Sequence, residues 1–449
     1  MKRKTSPKTI YKYLLLTLIA FTSLLFFGFG KSSDINSQNG ESLEDQVPVA
    51  INHLLSNELS NLPATTKLDS QIDNFMKKWE INGASLAIMK DEKLIYAKGY
   101  GWANLEENIE TEVRHIFRIA SLSKLITAVA IMKLYQEGKL SLEDNIFGSD
   151  GHLNYLNLSQ LRDKRVKEIT IEHLLRHKGG FSTRAGDPMF SLATISKRLK
   201  LNRAVTEQEL IEYVLTQRLG FTPGTGTRYS NLGYFILSKV IEAVTGQRYD
   251  SYIQDSILKP NGIYDMHLAR NFYKDKYPNE VKYYEPSNEE PISAFDGRDT
   301  LLPRCYGGNN IEMLLGAGAW VASPVEMLKF ISLIDGRDGI KDILSKESVN
   351  LMTFSTPATL PIGWAKCYPS GNWTRTGTLS GSSALIKYNS NGYSWVFITN
   401  TSSWKGSTFP KNIDGFFRGA MQRVSEWPER DLFKVTTASP AKTPQSLQS

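Results

Sequence analysis

The chain has 449 residues and a mass of 50.5 kDa, with 41% hydrophobic and 22% charged positions, so it can bury a sizeable core and is neither fibrous nor wholly disordered. Its net charge of +7 is no signal for nucleic acid, because Lys2, Arg3, Lys4, Lys8 and Lys12 cluster before the first apolar stretch and without those five the rest is nearly neutral at +2. No other basic block is interleaved with aromatic residues, which argues against a phosphate-binding face.

That basic start runs into an apolar stretch over 13–30 and then into polar sequence, the order of an export signal. Residues 1–30 are either a signal peptide, with Gly28 and Gly30 as a small-x-small cleavage pair, or a retained membrane anchor. Either way the body is expected outside the cytoplasmic membrane, periplasmic or extracellular, touching the membrane only through this segment. Residues 31–63 read as a linker with at most a short helix near 49–60. The globular domain is expected over 64–428, and the Pro/Thr/Ser/Lys-rich 429–449 is expected to be a disordered tail. Cys305 and Cys367, the only cysteines, permit one disulfide in an exported protein or stay as two thiols.

Ile72, Phe75, Met76 and Trp79 recur at helical spacing, so order is expected to begin near Leu68. Two apolar runs split by Asp91-Glu92 then predict a hairpin. An almost wholly apolar helix opens at Ser121 and should stop near Gly138. From there to about residue 310 the chain reads as helices and loops, including "TIEHLLRHKGG", "TEQELIEYVLTQ" and "NLGYFILSKVIEAVTG". In "SPVEMLKFISLI", Ser323 is the expected N-cap and Glu326 its capping-box partner. Strands return in "IGWAKCY", "NWTRTGT", "SALIKYN" and "YSWVFITN", and a helix over 413–427 closes the domain. Strands at both ends around a helical middle predict an α/β (α+β) fold. Its antiparallel sheet is built from N- and C-terminal segments, flanked by helices, with an inserted mainly helical lobe and a cleft between lobe and sheet.

Three stretches carry candidate chemistry. Lys124 sits one turn after Ser121 in the apolar helix, where the two side chains share a face. Burial lowers a lysine pKa, and a neutral amine beside a serine hydroxyl is a proton acceptor. S-x-x-K recurs at Ser256, Ser402 and Ser439, but in polar surroundings or in the tail. Tyr229 lies between a Pro-Gly loop and a long apolar helix, where the positive helix end favours a phenolate. Asn231 beside it can bind a substrate amide, position Lys124 or simply cap that helix. In "NWTRTGTLSGSS", Gly377 permits close approach to the strand, the Thr378 N–H can join that of Ser121 as an oxyanion donor, and Arg375 can pair with a substrate carboxylate. His173 and His177 stand at i, i+4 but lack a third ligand pattern, so no metal and no organic cofactor are expected.

Taken in chain order, "SLSK", "YSN" and "RTG" resemble the three motifs of the class C β-lactamase and penicillin-binding serine hydrolase family, and the flanking sequence agrees over roughly 68–427. The resemblance implies Ser121 as acylated nucleophile, Lys124 and Tyr229 as its proton-handling partners, Asn231 as a substrate contact, and Arg375, Thr376, Gly377 and Thr378 as one cleft wall. It implies a small-molecule or peptide substrate: a peptide, amide or ester, with cell-wall peptides and β-lactams included. β-Lactam-hydrolysing members usually carry Lys where Arg375 stands, and others carry His, so a dedicated lactamase is disfavoured. Lys178-Gly179-Gly180 replaces the family's usual Thr-Ser-Gly beside the cleft. The competing class is a non-catalytic envelope protein that keeps the fold as a binding module.

Overall fold

Alternating apolar residues in strands from both ends of the chain build one antiparallel sheet with two buried faces. In the computed structural model, which describes residues 48–436, these strands are β1 (Gly83–Lys90), β2 (Lys93–Asn104), β3 (Ile109–Glu110), β4 (Lys366–Cys367), β5 (Trp373–Leu379), β6 (Ser382–Tyr388) and β7 (Tyr393–Thr399). Their order is β3-β2-β1-β7-β6-β5-β4. The two ends meet where β1 pairs with β7, from Ala84 opposite Thr399 to Lys90 opposite Tyr393. Asp91 and Glu92 form the predicted β1–β2 turn at φ of +46° and +61°, the left-handed pair that a two-residue hairpin requires.

Strand alternation divides the core. Ala84, Leu86 and Ile88 face two helices, α1 (Thr66–Trp79) and α5 (Pro410–Ala420), with Leu68, Ile72, Phe75, Phe409, Ile413 and Phe417. Ala87 and Met89 face the helical lobe that the chain inserts between β3 and β4. At the lobe's centre are α2 (Ser123–Gln136) and α3 (Asn231–Thr245), which touch each other. Every residue of α2 from Ser123 to Met132 is buried, Lys124 included. The burial of Leu125, Ile126, Val129 and Ile131 contributes about 1.5–3 kcal/mol each, enough together to offset the several kcal/mol that desolvating one ammonium costs. Gly138 closes this region at φ +67° as expected. A fourth helix, α4 (Pro324–Ile331), takes Ser323 as its cap, the hydroxyl accepting from the Glu326 N–H.

Several expectations change. The Glu326 carboxylate does not return to Ser323; it accepts the N–H groups of Tyr264 and Asp265 in a fully buried site, where desolvation pushes it up to about 7. The expected linker 31–63 does not extend through the described part. Residues 51–54, 57–60 and 63–65 form 3₁₀ turns, Ile51 and Leu55 join the core, and Asn52 donates to Asp265 and to the Arg114 carbonyl. Of the expected tail 429–449, the described part, 429–436, is likewise packed on the domain, and the rest lies outside the described residues. Arg430 donates to the carbonyls of Ile95 in β2 and of Leu59 in the 3₁₀ turn 57–60, tying these two segments together, and Leu432 is buried. Cys305 and Cys367 are both free thiols. No helix among the described residues is long and apolar enough to cross a membrane, and the apolar segment 13–30 lies outside them.

Ile51→Ala is expected to lower the free energy of unfolding by about 2–3 kcal/mol, as for other buried aliphatic truncations, read by urea denaturation. An unchanged midpoint would return this segment to the linker.

Candidate active site

Ser121 lies in a 3₁₀ turn, Ala120–Leu122, that leads into α2, so the α-helix itself starts two residues later than predicted. In this first turn the Ser121 N–H has no intrahelical acceptor and is free for a ligand. Ala120 holds φ +50°, an unfavourable conformation for a residue with a Cβ, and the turn is clamped from outside. Gly377 of β5 is that clamp: a Cβ there would sit 2.4 Å from the Ile119 carbonyl oxygen and 3.1 Å from Ala120 Cβ. The glycine therefore admits the backbone of the Ser121 turn, where the sequence suggested that it admits a substrate.

Two proton-handling groups converge on the Ser121 hydroxyl. The Tyr229 hydroxyl donates to Ser121 Oγ at 2.8 Å and Lys124 Nζ donates to it at 3.2 Å. Lys124 Nζ also donates to Asn231 Oδ1 at 2.7 Å and to the Ala317 carbonyl at 2.5 Å, so its charged form has a full set of acceptors. Burial brings Lys124 down to about 8; the Arg375 cation pushes the same way, and the Tyr229 oxygen opposes both. Burial alone would raise Tyr229, but the positive charges of Lys124 and Arg375 outweigh it and bring the phenol down to about 8. The residue is 46% exposed, yet its hydroxyl oxygen is bonded to Ser121 and Arg375, so the local charges govern the hydroxyl rather than bulk solvent. Around pH 8 the pair can therefore take up or release a proton beside Ser121.

Local sequence explains how Tyr229 is held. Residues 177–180 pair with the loop that carries it: Gly220 donates to the Gly180 carbonyl, Gly224 to Lys178 and Arg228 to His177. Lys178-Gly179-Gly180 thus braces that loop and does not line the cleft. The Ser230 hydroxyl caps α3 by accepting from the Gly233 N–H, which relieves Asn231 of the capping role and frees its amide for Lys124. His177 packs its ring 4.5 Å from that of Tyr229, and its Nδ1 accepts from the Ser230 N–H. Burial, then Lys124 and Arg375, hold His177 well below its usual pKa, so it is neutral. His173 Nδ1 accepts from the Thr170 N–H as part of a capping box, and the two imidazoles serve separate backbone contacts.

Arg375 requires the main correction at the site. Its side chain is 2% exposed; Nε donates to the Ser121 carbonyl at 2.7 Å and Nη2 to the Tyr229 hydroxyl at 3.3 Å. The guanidinium is therefore turned inward, onto the Ser121 turn and the phenol, and is not presented as a fork to an outside carboxylate. The same strand keeps its expected edge. The Thr374 carbonyl bonds to Ala365 on the β4 side, and antiparallel alternation turns the N–H groups of Thr376 and Thr378 to that side too. Beyond Thr374 no strand pairs there, leaving the Thr378 N–H facing the cleft.

The cleft has a volume of about 400 Å³. Ser121, Tyr229, Asn231, Arg375, Thr376 and Thr378 all line it, whereas Gly377 lies behind the wall. Leu314, Leu360, Trp364, Leu379 and Phe190 give it apolar surface. Sequence reasoning missed Asp187, whose Oδ2 accepts from Asn231 Nδ2 at 2.7 Å. That bond fixes which end of the amide faces Lys124. The Asp-Pro pair at 187–188 signalled a turn or a cap, and its carboxylate does accept from the Met189 N–H, but nothing local pointed it at Asn231.

A family model described as Beta-lactamase matches residues 68–414. Protein flp of Staphylococcus aureus (strain N315) is 27% identical over 352 residues, covering 75% of this chain and 63% of that protein, so the chain spans less than two thirds of this relative's length. Among solved structures, the octameric penicillin-binding protein homologue from Pyrococcus abyssi superposes with a TM-score of 0.59 at 25% identity, covering 82% of this chain and 78% of that one. The D-amino acid amidase from Ochrobactrum anthropi SV3 superposes at 0.62 with 19% identity, covering 81% and 99%, a likeness of fold.

Asp187→Ala is expected to slow the reaction of Ser121 with a fluorophosphonate by about ten- to a hundredfold, a fraction of what a positioned base supplies. Because the Asp187 charge supports the Lys124 ammonium, its loss should also let that reaction speed up at lower pH. An unchanged rate and profile would show that Asn231 is oriented without it.

Proposed function

The chain belongs to the beta-lactamase family, and on that premise we propose that it is a serine hydrolase that works through an acyl-enzyme on Ser121, with an amide, peptide or ester as substrate. The observation that carries this reading is the convergence of Tyr229 Oη and Lys124 Nζ on one hydroxyl at the mouth of a cleft.

The steps follow from the geometry. With the Tyr229–Lys124 pair short of one proton, Ser121 Oγ attacks the substrate carbonyl and passes its proton to the phenolate, backed by the lysine. The oxyanion that forms meets the N–H groups of Ser121 and Thr378. The proton held by the pair then goes to the leaving nitrogen or oxygen as the tetrahedral carbon collapses to the Ser121 ester. Water, deprotonated by the same pair, cleaves that ester and restores the serine. Arg375 assists at both ends, favouring the phenolate by its charge and holding the Ser121 turn by its bond to the carbonyl.

The lining supports a substrate class. With Arg375 turned inward and Lys124 enclosed, the cleft offers hydroxyls from Thr376, Thr378 and Ser407 and an apolar wall, which suits an uncharged acyl group. The penicillin-binding and D-amino acid amidase names of similar proteins support a peptide or amide, with a cell-wall peptide as the leading case. The basic-then-apolar start of the chain supports export to the substrate's compartment.

Ser121→Ala should abolish labelling by fluorescent penicillin and fluorophosphonate, with mass spectrometry locating the parent's adduct on Ser121. Lys124→Ala and Tyr229→Phe should each reduce acylation by about 10²–10⁴-fold. Since the reactive form has lost a proton, the parent's acylation rate should rise with pH through about 8 and then level. Removing the Arg375 cation raises both partners' pKa, so Arg375→Gln should move that limb to higher pH. A flat profile from pH 6 to 10 would rule out the proton relay.

A further inference from the structure

A second cavity, of about 490 Å³, opens on the other side of the loop that carries Asp187. Pro188 and Ser191 of that loop line the second cavity, while Phe190 between them lines the catalytic cleft. The loop is thus a shared wall. The back of the second cavity includes Leu219 and Gly220, at the base of the loop that leads to Tyr229.

Its lining is unusual in charge. Arg162, Arg184, Arg198 and Arg218 all contribute, all four are exposed, and no Asp or Glu lines the cavity. Among the described residues none of the four makes a salt bridge, although nearby Arg165 and Arg203 are paired with Asp163 and Glu209. Arg198 is the one with a fixed side-chain partner, donating to the Tyr213 hydroxyl at 2.8 Å. Four cations around an apolar floor of Phe181, Ile195, Val214 and Leu219 repel one another and leave their fork-shaped donors unfilled. A body that is otherwise nearly neutral has no need of such a cluster for solubility.

We propose that this cavity is a binding subsite for an anionic segment of the substrate, carrying phosphate or carboxylate groups, whose scissile bond lies across the loop at Ser121. In the catalytic cleft Arg375 is already bonded to the Ser121 carbonyl and the Tyr229 hydroxyl, and the arginine cavity supplies recognition of an acidic group at a distance. The assignment of the anion to the substrate rests on the acyl-enzyme reading above; anion binding itself does not.

The test uses the full chain carrying Ser121→Ala, so that binding is measured without turnover. Calorimetry at low salt with linear polyphosphate, and in parallel with oligoglutamate, should show saturable binding to at least one of them, and which one binds tells phosphate from carboxylate. The triple substitution R162Q/R184Q/R218Q should weaken that binding by at least about tenfold, and added salt should weaken the parent's binding, as expected for exposed charge contacts. In the Ser121-containing protein the same triple substitution should leave the reaction with a small neutral fluorophosphonate at the parent rate. It should raise KM for an ester with a distal anionic tail while sparing kcat and sparing a neutral ester. No binding of either polyanion, or binding that the triple substitution leaves intact, overturns the subsite. Loss of binding with no difference between the two esters overturns its assignment to the substrate. A parent that fails to react with fluorophosphonate would sink the acyl-enzyme reading alone, and the calorimetry would still decide the anion site.

Discussion

The structure turns on one buried amine. Lys124 sits in a helix with no polar face, fully enclosed, and its ammonium is tolerable only because Ser121 Oγ, Asn231 Oδ1 and the Ala317 carbonyl surround it. Each of those acceptors belongs to a different part of the lobe, so the charge holds three segments to one point. The same enclosure lowers the amine's pKa to the range where it can exchange a proton with Tyr229. Stability and reactivity here come from one set of bonds.

Arg375 extends that logic. Lysine or histidine at this strand position can lose its charge; a guanidinium cannot. Turned inward, it is a fixed cation beside Tyr229 and a fixed donor to the turn that carries Ser121. The phenol is thereby held near 8 by two positive neighbours against a desolvation that would otherwise raise it. An acidic group on a substrate would then need recognition elsewhere, and the arginine cluster across the Asp187 loop is the site we propose for it.

Left-handed backbone occurs at the same place, as it also does at Glu80, Asp91, Glu92, Asn108 and Lys200 elsewhere. Ala120, His177 and Leu315 all adopt positive φ without being glycine, and they lie respectively beside Ser121, under Tyr229 and two residues before the Ala317 carbonyl. Such conformations cost about 1–3 kcal/mol each and persist where surrounding packing over-determines them. Here the packing is the close contact of Gly377 with the Ile119–Ala120 backbone and the strap between residues 177–180 and 220–228.

By itself the sequence determined the parts with a local cause. Period-3.6 apolar spacing and the Ser and Gly caps gave the helices, period-2 alternation gave the long strands, and the composition around Ser121 and Lys124 separated one S-x-x-K from its three counterparts. Tertiary structure decided whatever depends on what a side chain meets across the fold. Arg375 reads as an exposed strand arginine until β5 packs on the Ser121 turn, and Gly377 reads as a substrate gap until the same contact fills it. Asp187 gives no local sign of facing Asn231, because its partner is 44 residues away. The stretch near Ile51 and the one near Arg430 looked polar and weakly patterned because one or two buried side chains suffice to dock a short segment onto a sheet already formed. Spacing along a chain fixes which face a residue shares with its neighbours; only packing fixes what that face touches.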